Sequence, residues 1–384
     1  MSLLGVRLNL LIGPTVPLPA PPPLLDSLEQ VEVTHSDGER SGFQITFQLG
    51  KGAKAFIDYA LMQLPLLKPG ARVILTVFLG AMPKVLMDGL ITRQEMVPAK
   101  SPKEPTTLTL TGEDVSFAMD REEKNVEHPA QNESVIALKL IGSYARYGMI
   151  PIVIPPFVFD VPVPTDRIPV QQATDLQYLQ EIAKRYNYVF HVTPGPVPGT
   201  NKAYWGPDLR IGIPQPALTV DMGSDTNVDG IEFQNEAADA TKVEGSVQDR
   251  TTGAKVPVRN LVSLKPPLAL SAALANSQIA STKAYRAFSG KTVAQAAADA
   301  QAQSDATTDV VTGTGELDTG RYGGILQARG LVGVRGVGLS YDGLYYVKSV
   351  THTLTQKSYK QKFTITREGT ISSVPLVPVA GVGL

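Results

Sequence analysis

At 384 residues and 43% hydrophobic composition, the chain is long enough to bury about two or three cores of ordinary domain size without covalent staples. Its 35 Lys and Arg stand against 36 Asp and Glu, so a net charge of −1 excludes a broad electrostatic footprint for nucleic acid or acidic membranes and leaves proteins as the expected partners. Zero cysteines exclude disulfides, thiolate metal sites and a cysteine nucleophile, and fit folding in a reducing cytoplasm.

The first residues, MSLLGVRLNLLIGPTVPLPAPPPLLDSL, lack the positive start of a signal peptide, and Arg7, Asn9 and a proline cluster interrupt the apolar run. Val6, Leu8 and Leu10 alternate with Arg7 and Asn9, the period of a strand with one buried face. No apolar run reaches the ~18 residues of a membrane-spanning helix. QVEVTHS, GFQITFQL, ARVILTVFLG, KVLMDGLITRQEM and TTLTLTG then read as strands separated by Asp-Gly, Pro-Gly and Gly-Ala, with AKAFIDYALMQ as a short helix. This region reads as a small barrel or sandwich.

The character changes at Asn132, where Ile136, Leu140 and Tyr144 fall four apart and predict a helix that stops at Gly148 and Pro151. A second helix begins at Thr174, with Gln177 at capping-box spacing and Leu176, Leu179, Ile182 and Tyr186 as its buried stripe, and YVFHV follows as a strand. Between the helices, MIPIVIPPFVFDVPVPTDRIPV is too rich in proline for a central strand and reads as an extended arm or loop. Strands return in NVDGIEFQNE, TKVEGSVQD and AKVPVRN; the alanine-rich segment Ser281 to Ala306 reads as helical, and the last strands run from Asp309 to Arg367.

The chain offers little chemistry. Gly290-Lys291-Thr292 resembles the end of a phosphate loop, but Tyr285 stands where that loop needs glycine, so a plain helix start is expected. The other glycine clusters miss the dinucleotide spacing, and no serine has glycine two residues away on both sides. His35, His128, His191 and His352 are scattered, none within five residues of another, and read as structural residues rather than metal ligands. Lys348, Lys357, Lys360, Lys362 and Arg367 near the end read as a solvated strand face with edge protection, the alternative being a charged surface toward a channel or partner. No catalytic, cofactor-binding or metal residue is nominated.

One pattern repeats. DGLITRQEMVPAKSPKEPTTLTLTGED from Asp88 and DGLYYVKSVTHTLTQKSYKQKFTITREG from Asp342 share an Asp-Gly-Leu start, a polar loop with lysine and a closing strand. Asp88 and Asp342 are 254 positions apart and Leu108 and Phe363 are 255 apart, so one insertion aligns two hairpins that each close a β-rich region. The predicted fold class is mixed, β-rich α+β.

The second of these hairpins, the capped TDLQYLQEIAKRYNYVFHV, ALTVDMGSDTNVDGIEFQNEA and the early LLIGPTVPLPAPPPLLDSLEQVEVTHSDGERSGFQITF resemble, in order along nearly the whole chain, the phage late control D family, the baseplate hub of contractile tails and related injection systems. The resemblance implies a homotrimer whose chains each carry two tail-tube-like β-barrels, a ring that joins a six-fold tube to a three-fold spike. It implies no enzyme and no cofactor, and it implies tube, spike and other baseplate proteins as partners, in a virion tail or injection particle assembled in the host cytoplasm.

The expected division is a first barrel over 1–120, an α/β insert over 121–220, a second barrel over 221–264 and 305–369, a helical insertion over 265–304 and a tail over 370–384. Only TISSVPLVPVAGVGL follows Gly369, so the spike is expected as a separate polypeptide, with Val374, Leu376, Val377 and Val379 available to dock on it. A tail-associated peptidoglycan hydrolase and a carbohydrate- or protein-binding β module are the rival readings.

Overall fold

The computed structural model describes residues 2–3, 6–14, 16–49, 65–101, 105–156, 168–248, 253–260, 263, 265–275, 278–286 and 293–373. The short helix expected in AKAFIDYALMQ, the Gly290-Lys291-Thr292 loop and the apolar tail from Val374 lie outside the described residues.

The chain opens with β1 (Ser2–Leu3), β2 (Val6–Gly13), β3 (Leu18–Pro19), the short helix α1 (Pro22–Asp26), β4 (Leu28–Ser36), β5 (Gly42–Leu49), β6 (Arg72–Leu79), β7 (Met82–Val97) and β8 (Thr106–Asp114). These strands pair in the order β1-β2-β6-β7-β8-β5-β4, antiparallel throughout. Alternation decides which side chains go inside: Val31 and Val33 of β4, Ile45 and Phe47 of β5, and Leu108 and Leu110 of β8 form one core with Val73 and Leu75 of β6.

An α/β insert follows, made of β9 (Glu123–Glu127), α2 (Glu133–Gly142), β10 (Met149–Val153), β11 (Val170–Thr174), α3 (Asp175–Lys184), β12 (Tyr188–Pro194) and β13 (Asn201–Pro207). The helix starts follow their caps: Asn132 accepts from the Val135 amide, and Thr174 from the Gln177 amide at 3.2 Å. α2 ends at Gly142, short of the expected Gly148, which instead closes the separate 3-10 turn Ala145–Tyr147 in the left-handed region at φ 70°. Part of the proline-rich stretch, expected as an arm or loop, is the strand β10, parallel to β13; Pro151 is tolerated because, among the described residues, β10 pairs with a strand on one side only. Trp205, fully buried among Ile136, Leu176, Leu179 and Ile182, anchors the insert core and donates its indole N–H to the Leu179 carbonyl at 3.2 Å.

The rest comprises β14 (Gln215–Thr219), β15 (Gly230–Asn235), β16 (Thr241–Gln248), β17 (Lys255–Asn260), β18 (Ala269–Ala272), β19 (Ser281–Arg286), α4 (Val293–Asp305), β20 (Val311–Asp318), α5 (Thr319–Tyr322), β21 (Leu331–Arg335), β22 (Gly343–Thr355), β23 (Tyr359–Arg367) and β24 (Gly369–Ser372). Three expectations are corrected here. Ser281–Arg286, read as helical from its alanine-rich context, is strand β19 paired parallel to β16. β16 and β17, expected in the second barrel, form with β19 a separate sheet that packs against α4 through Val243, Val247, Ala296 and Ala300. Gln215–Thr219, on the insert side of the boundary expected at Val220, pairs with β21 and so belongs to the second half of the main sheet.

The strand orders reveal a repeat of the whole sheet unit. In the first half the order is β2-β6-β7-β8-β5-β4, and in the second β14-β21-β22-β23-β20-β15. Matching strands occur in the same chain order, and five pairs agree in position and antiparallel sense; the sixth differs, since β14 is parallel to β21 where β2 is antiparallel to β6. Each long hairpin carries one bulge, at Thr92 in β7 and at Lys348 in β22. Counted from these bulges, the place of Asp88 is taken by Leu344, two residues past Asp342, so the Asp-Gly-Leu echo is displaced from the structural match.

Candidate functional site: the seam between the two halves of the sheet

The two halves join along one line. β4 uses one edge for β5 and the other for β22, from Ser36 opposite Ser349 to Gln30 opposite Thr355, so a single sheet runs from β1 to β15. The bulge makes this possible. Before it, Gly343–Tyr346 of β22 pair with β21; beyond it, Ser349–Thr355 pair with β4. The bulged Lys348 contributes its carbonyl, which accepts from the Asp37 amide at 2.8 Å. Thr34 and Thr351 face each other on the outer side with hydroxyl oxygens 3.0 Å apart.

On the inner side the seam gathers histidines that sequence spacing kept apart. His35 and His352 meet edge to face with ring centroids 5.7 Å apart. Nδ1 of His35 lies 3.1 Å from the Ser41 hydroxyl, and Nδ1 of His352 lies 3.0 Å from the Tyr359 hydroxyl. Burial, reinforced by Arg329 and Lys84, brings the His35 pKa down to about 4; burial, with His35 and Lys84 adding repulsion, pushes His352 well below its ordinary value. Both rings are therefore neutral at pH 7 and act as hydrogen-bonding spacers.

Arg329 ties this pair to the insert. It sits at φ 61°, an unfavourable region for a side-chain-bearing residue, and its amide donates to the Val347 carbonyl at 2.8 Å. Its guanidinium donates to the Ser36 carbonyl at 2.5 Å and lies 3.8 Å from the Asp37 carboxylate. With His35 and His352 it lines a cavity of about 80 Å³, and with His191, Lys202, Asp208 and Tyr346 one of about 230 Å³. His191 is also kept neutral: burial, then the Arg329 charge, lowers its pKa to about 3.

Two buried ion pairs clamp the insert to the halves. Arg72 of β6 binds Asp88 of β7 through two hydrogen bonds of 2.7 Å, and its Nη2 also donates to the carbonyls of Tyr147 and Gly199 in the insert. Asn201 Nδ2 completes the cluster at 2.9 Å from Asp88. At the other end Arg210 grips Asp309 with two bonds of 2.6 Å and stacks 4.2 Å from the centre of the Tyr346 ring. Burial opposes charge on Asp309, but Arg210 and Lys265 hold its pKa below the ordinary carboxylate range.

Of the basic residues read as a solvated face, Lys348, Lys357, Lys360 and Lys362 are exposed, and Lys360 pairs with Glu316 at 2.6 Å. Arg367 is a correction: it is fully buried, donates to the carbonyls of Gly369, Asp342 and Ser340, and lies 4.4 Å from the centre of the Tyr345 ring. Its place at a strand end hid this, because the carbonyl cage is built from the neighbouring turns. Among the described residues no group of three or more His, Asp or Glu side chains is arranged to hold a metal ion, and no helix is long and apolar enough to cross a membrane. What the seam does physically is fix two sheet halves and an insert in one arrangement.

No family model matches the chain, and no curated protein sequence does. Solved structures do. A tail protein from Neisseria meningitidis MC58 is similar at TM-score 0.61 and 14% identity, over 96% of this chain and 98% of that one. The 43 kDa tail protein of prophage MuSo2 from Shewanella oneidensis is similar at TM-score 0.64 and 13% identity, over 94% and 98%. The E. coli c3393 protein, a component of the type VI secretion system with structural similarity to T4 bacteriophage tail proteins, follows at TM-score 0.52 and 10% identity, over 92% and 77%. The chain has the β-rich fold of phage tail proteins and of related secretion-system components.

Proposed function

We propose that this protein is a structural baseplate hub of a contractile tail or injection machine, of the late control D kind, and not an enzyme. The observation that carries the reading is the repeated five-strand unit joined edge to edge within one chain. A molecule with two equivalent sheet units side by side offers a trimer six such units, enough to meet a six-fold tube on one face and a three-fold spike on the other. The units act as two tube-like barrels, the first within 1–120 and the second built from β14, β15 and β20–β23. The α/β insert over 121–220 and the lobe of β16, β17, β19 and α4 mark each chain once, which gives the ring its three-fold character. The partners are two further copies, a trimeric spike, the tail tube protein and neighbouring baseplate proteins. The place of action is the tail or particle, after assembly in the host cytoplasm. No cofactor or metal is required.

The test is native mass spectrometry of the full chain co-produced with the spike protein of the same particle. The expected species contains three copies of each; a stable monomer or dimer with the spike present overturns the reading.

A further inference from the structure

The seam inside the chain specifies a second seam that the chain leaves unfilled. In the repeat, β4 corresponds to β15 and β22 corresponds to β7. The edge of β4 is covered by the part of β22 beyond its bulge. The corresponding edge of β15 has no strand partner among the described residues, and neither does the outer edge of β7 beyond its own bulge, Arg93–Val97, which pairs with β8 alone. Burial agrees with a missing cover. Val31 and Val33 are 1% and 0% exposed, whereas Ile231 and Phe233, at the matching core-facing positions of β15, are only half-buried. His352 is 1% exposed, whereas Met96, which takes its place in β7, is half-buried. The side-chain amide nitrogen of Gln94, the counterpart of Val350, is buried without a hydrogen-bond partner among the described residues.

We propose that β15 of one copy pairs antiparallel with Arg93–Val97 of β7 in the next copy, repeating the intrachain seam. This rests on the hub reading and adds to it the contact that builds the ring. Carrying over the register gives the pairs. Thr34 opposite Thr351 becomes Gln234 opposite Glu95 of the next copy; Val33 opposite His352 becomes Phe233 opposite Met96; Glu32 opposite Thr353 becomes Glu232 opposite Val97. Phe233 and Met96 thereby cover each other on the core side, while Gln234 and Glu95, both exposed in one chain, meet on the outer side. The contact is head to tail, so it closes only as a ring, and three copies with two units each complete it.

The absence of native cysteine makes the register directly testable. The full chain carrying Gln234→Cys and Glu95→Cys is oxidised and run without reductant, beside Thr34→Cys with Thr351→Cys as an intrachain control and Thr34→Cys with Glu95→Cys as a mismatched pair. Expected are cross-linked dimers and trimers for the first variant, with nothing larger, an internal bond for the control and no cross-link for the mismatch. Glu232→Cys with Val97→Cys tests the same seam in a second background if the first variant fails to fold. A trimer by native mass with no cross-link in either seam variant, while the control forms its bond, overturns the pairing and leaves the hub reading standing. A monomer at every concentration overturns both, and a ladder beyond three copies overturns the closed ring.

Discussion

The two halves of the sheet share five strands in one order, yet they treat their edges differently. In the first half β4 and β5 are joined by a five-residue turn over 37–41, and the free edge of β4 is sealed by the other half. In the second half the connection from β15 to β20 carries the lobe of β16, β17, β19 and α4, and the edge of β15 stays open among the described residues. The matching core positions show the cost: valines at 31 and 33 are fully covered, while Ile231 and Phe233 keep part of their apolar surface in solvent. Burying a strand edge inside one chain removes a pairing hazard, and leaving the equivalent edge open retains a place to pair with another chain.

The halves also anchor their long hairpins by different chemistry. The first uses a carboxylate, Asp88, gripped by Arg72. In the second, Arg367 is satisfied by three carbonyls and the Tyr345 ring. The sharpest way to break the first anchor is Asp88→Ala, which strands a buried guanidinium. Truncating one member of such a pair costs about 3–5 kcal/mol. Urea denaturation should show a loss of that size, with the insert detaching from the first half, because Arg72 also holds the carbonyls of Tyr147 and Gly199. A loss below about 1 kcal/mol, the scale of an exposed pair, shows that the cluster is not the clamp.

These anchors explain what could be read in advance and what could not. β4 and β5 were legible because one face is buried and the other wet, so Val31, Val33, Ile45 and Phe47 alternate with polar neighbours. The caps at Asn132 and Thr174 were legible because the interaction that defines them spans three residues. Ser281–Arg286 was misread because its alanine-rich surroundings favour helix, while its pairing with β16, some forty residues earlier, decides the outcome. The histidine pair was illegible for the same kind of reason. His35 and His352 meet only because β4 and β22 pair in a given register, and neither strand carries a local signal of that partner. The repeat was legible as a hairpin, but its literal marker was displaced by two residues, since strand pairing and the bulges define equivalence rather than the Asp-Gly-Leu text.

The histidines make the sealed seam sensitive to acid in a way the open edge is not. For a histidine whose pKa is lowered on folding, the unfolded chain binds the extra proton first. The stability contribution is therefore fully present above about pH 6.5 and is lost as pH falls toward the folded value, about 4 for His35. Within that window one such group changes stability by about 1.4 kcal/mol per pH unit. Burial, then the charges of Arg329 and Lys84, lower the His35 pKa against a raising hydrogen bond with the Leu86 backbone, while Asp114, whose pKa burial raises, opposes the loss of stability in part. His35→Asn keeps a polar atom toward Ser41 and removes the titration. Urea midpoints of the wild type and this variant should diverge as pH drops from 6.5 to 4, with the wild type losing more; parallel curves refute the assignment.

The smallest effect sharpens the comparison most, because it isolates the seam from the rest of the fold. Thr34 and Thr351 touch across it through one hydroxyl contact of 3.0 Å, and both residues are half-buried. Replacing either with valine keeps the β-branched shape and leaves the other hydroxyl to find water, whereas replacing both removes the need together. A typical net hydrogen bond is worth about 1 kcal/mol, and the double substitution should therefore cost less than the sum of the two singles by about that amount. The same cycle at Gln234 and Glu95, run on isolated chains, should show no coupling, since the two residues then lie on separate edges. Coupling that appears at Gln234 and Glu95 only in the assembled ring assigns it to a contact between copies. Coupling in the isolated chain contradicts the open edge, and equal additivity at Thr34 and Thr351 removes the hydroxyl pair from the forces that hold the seam.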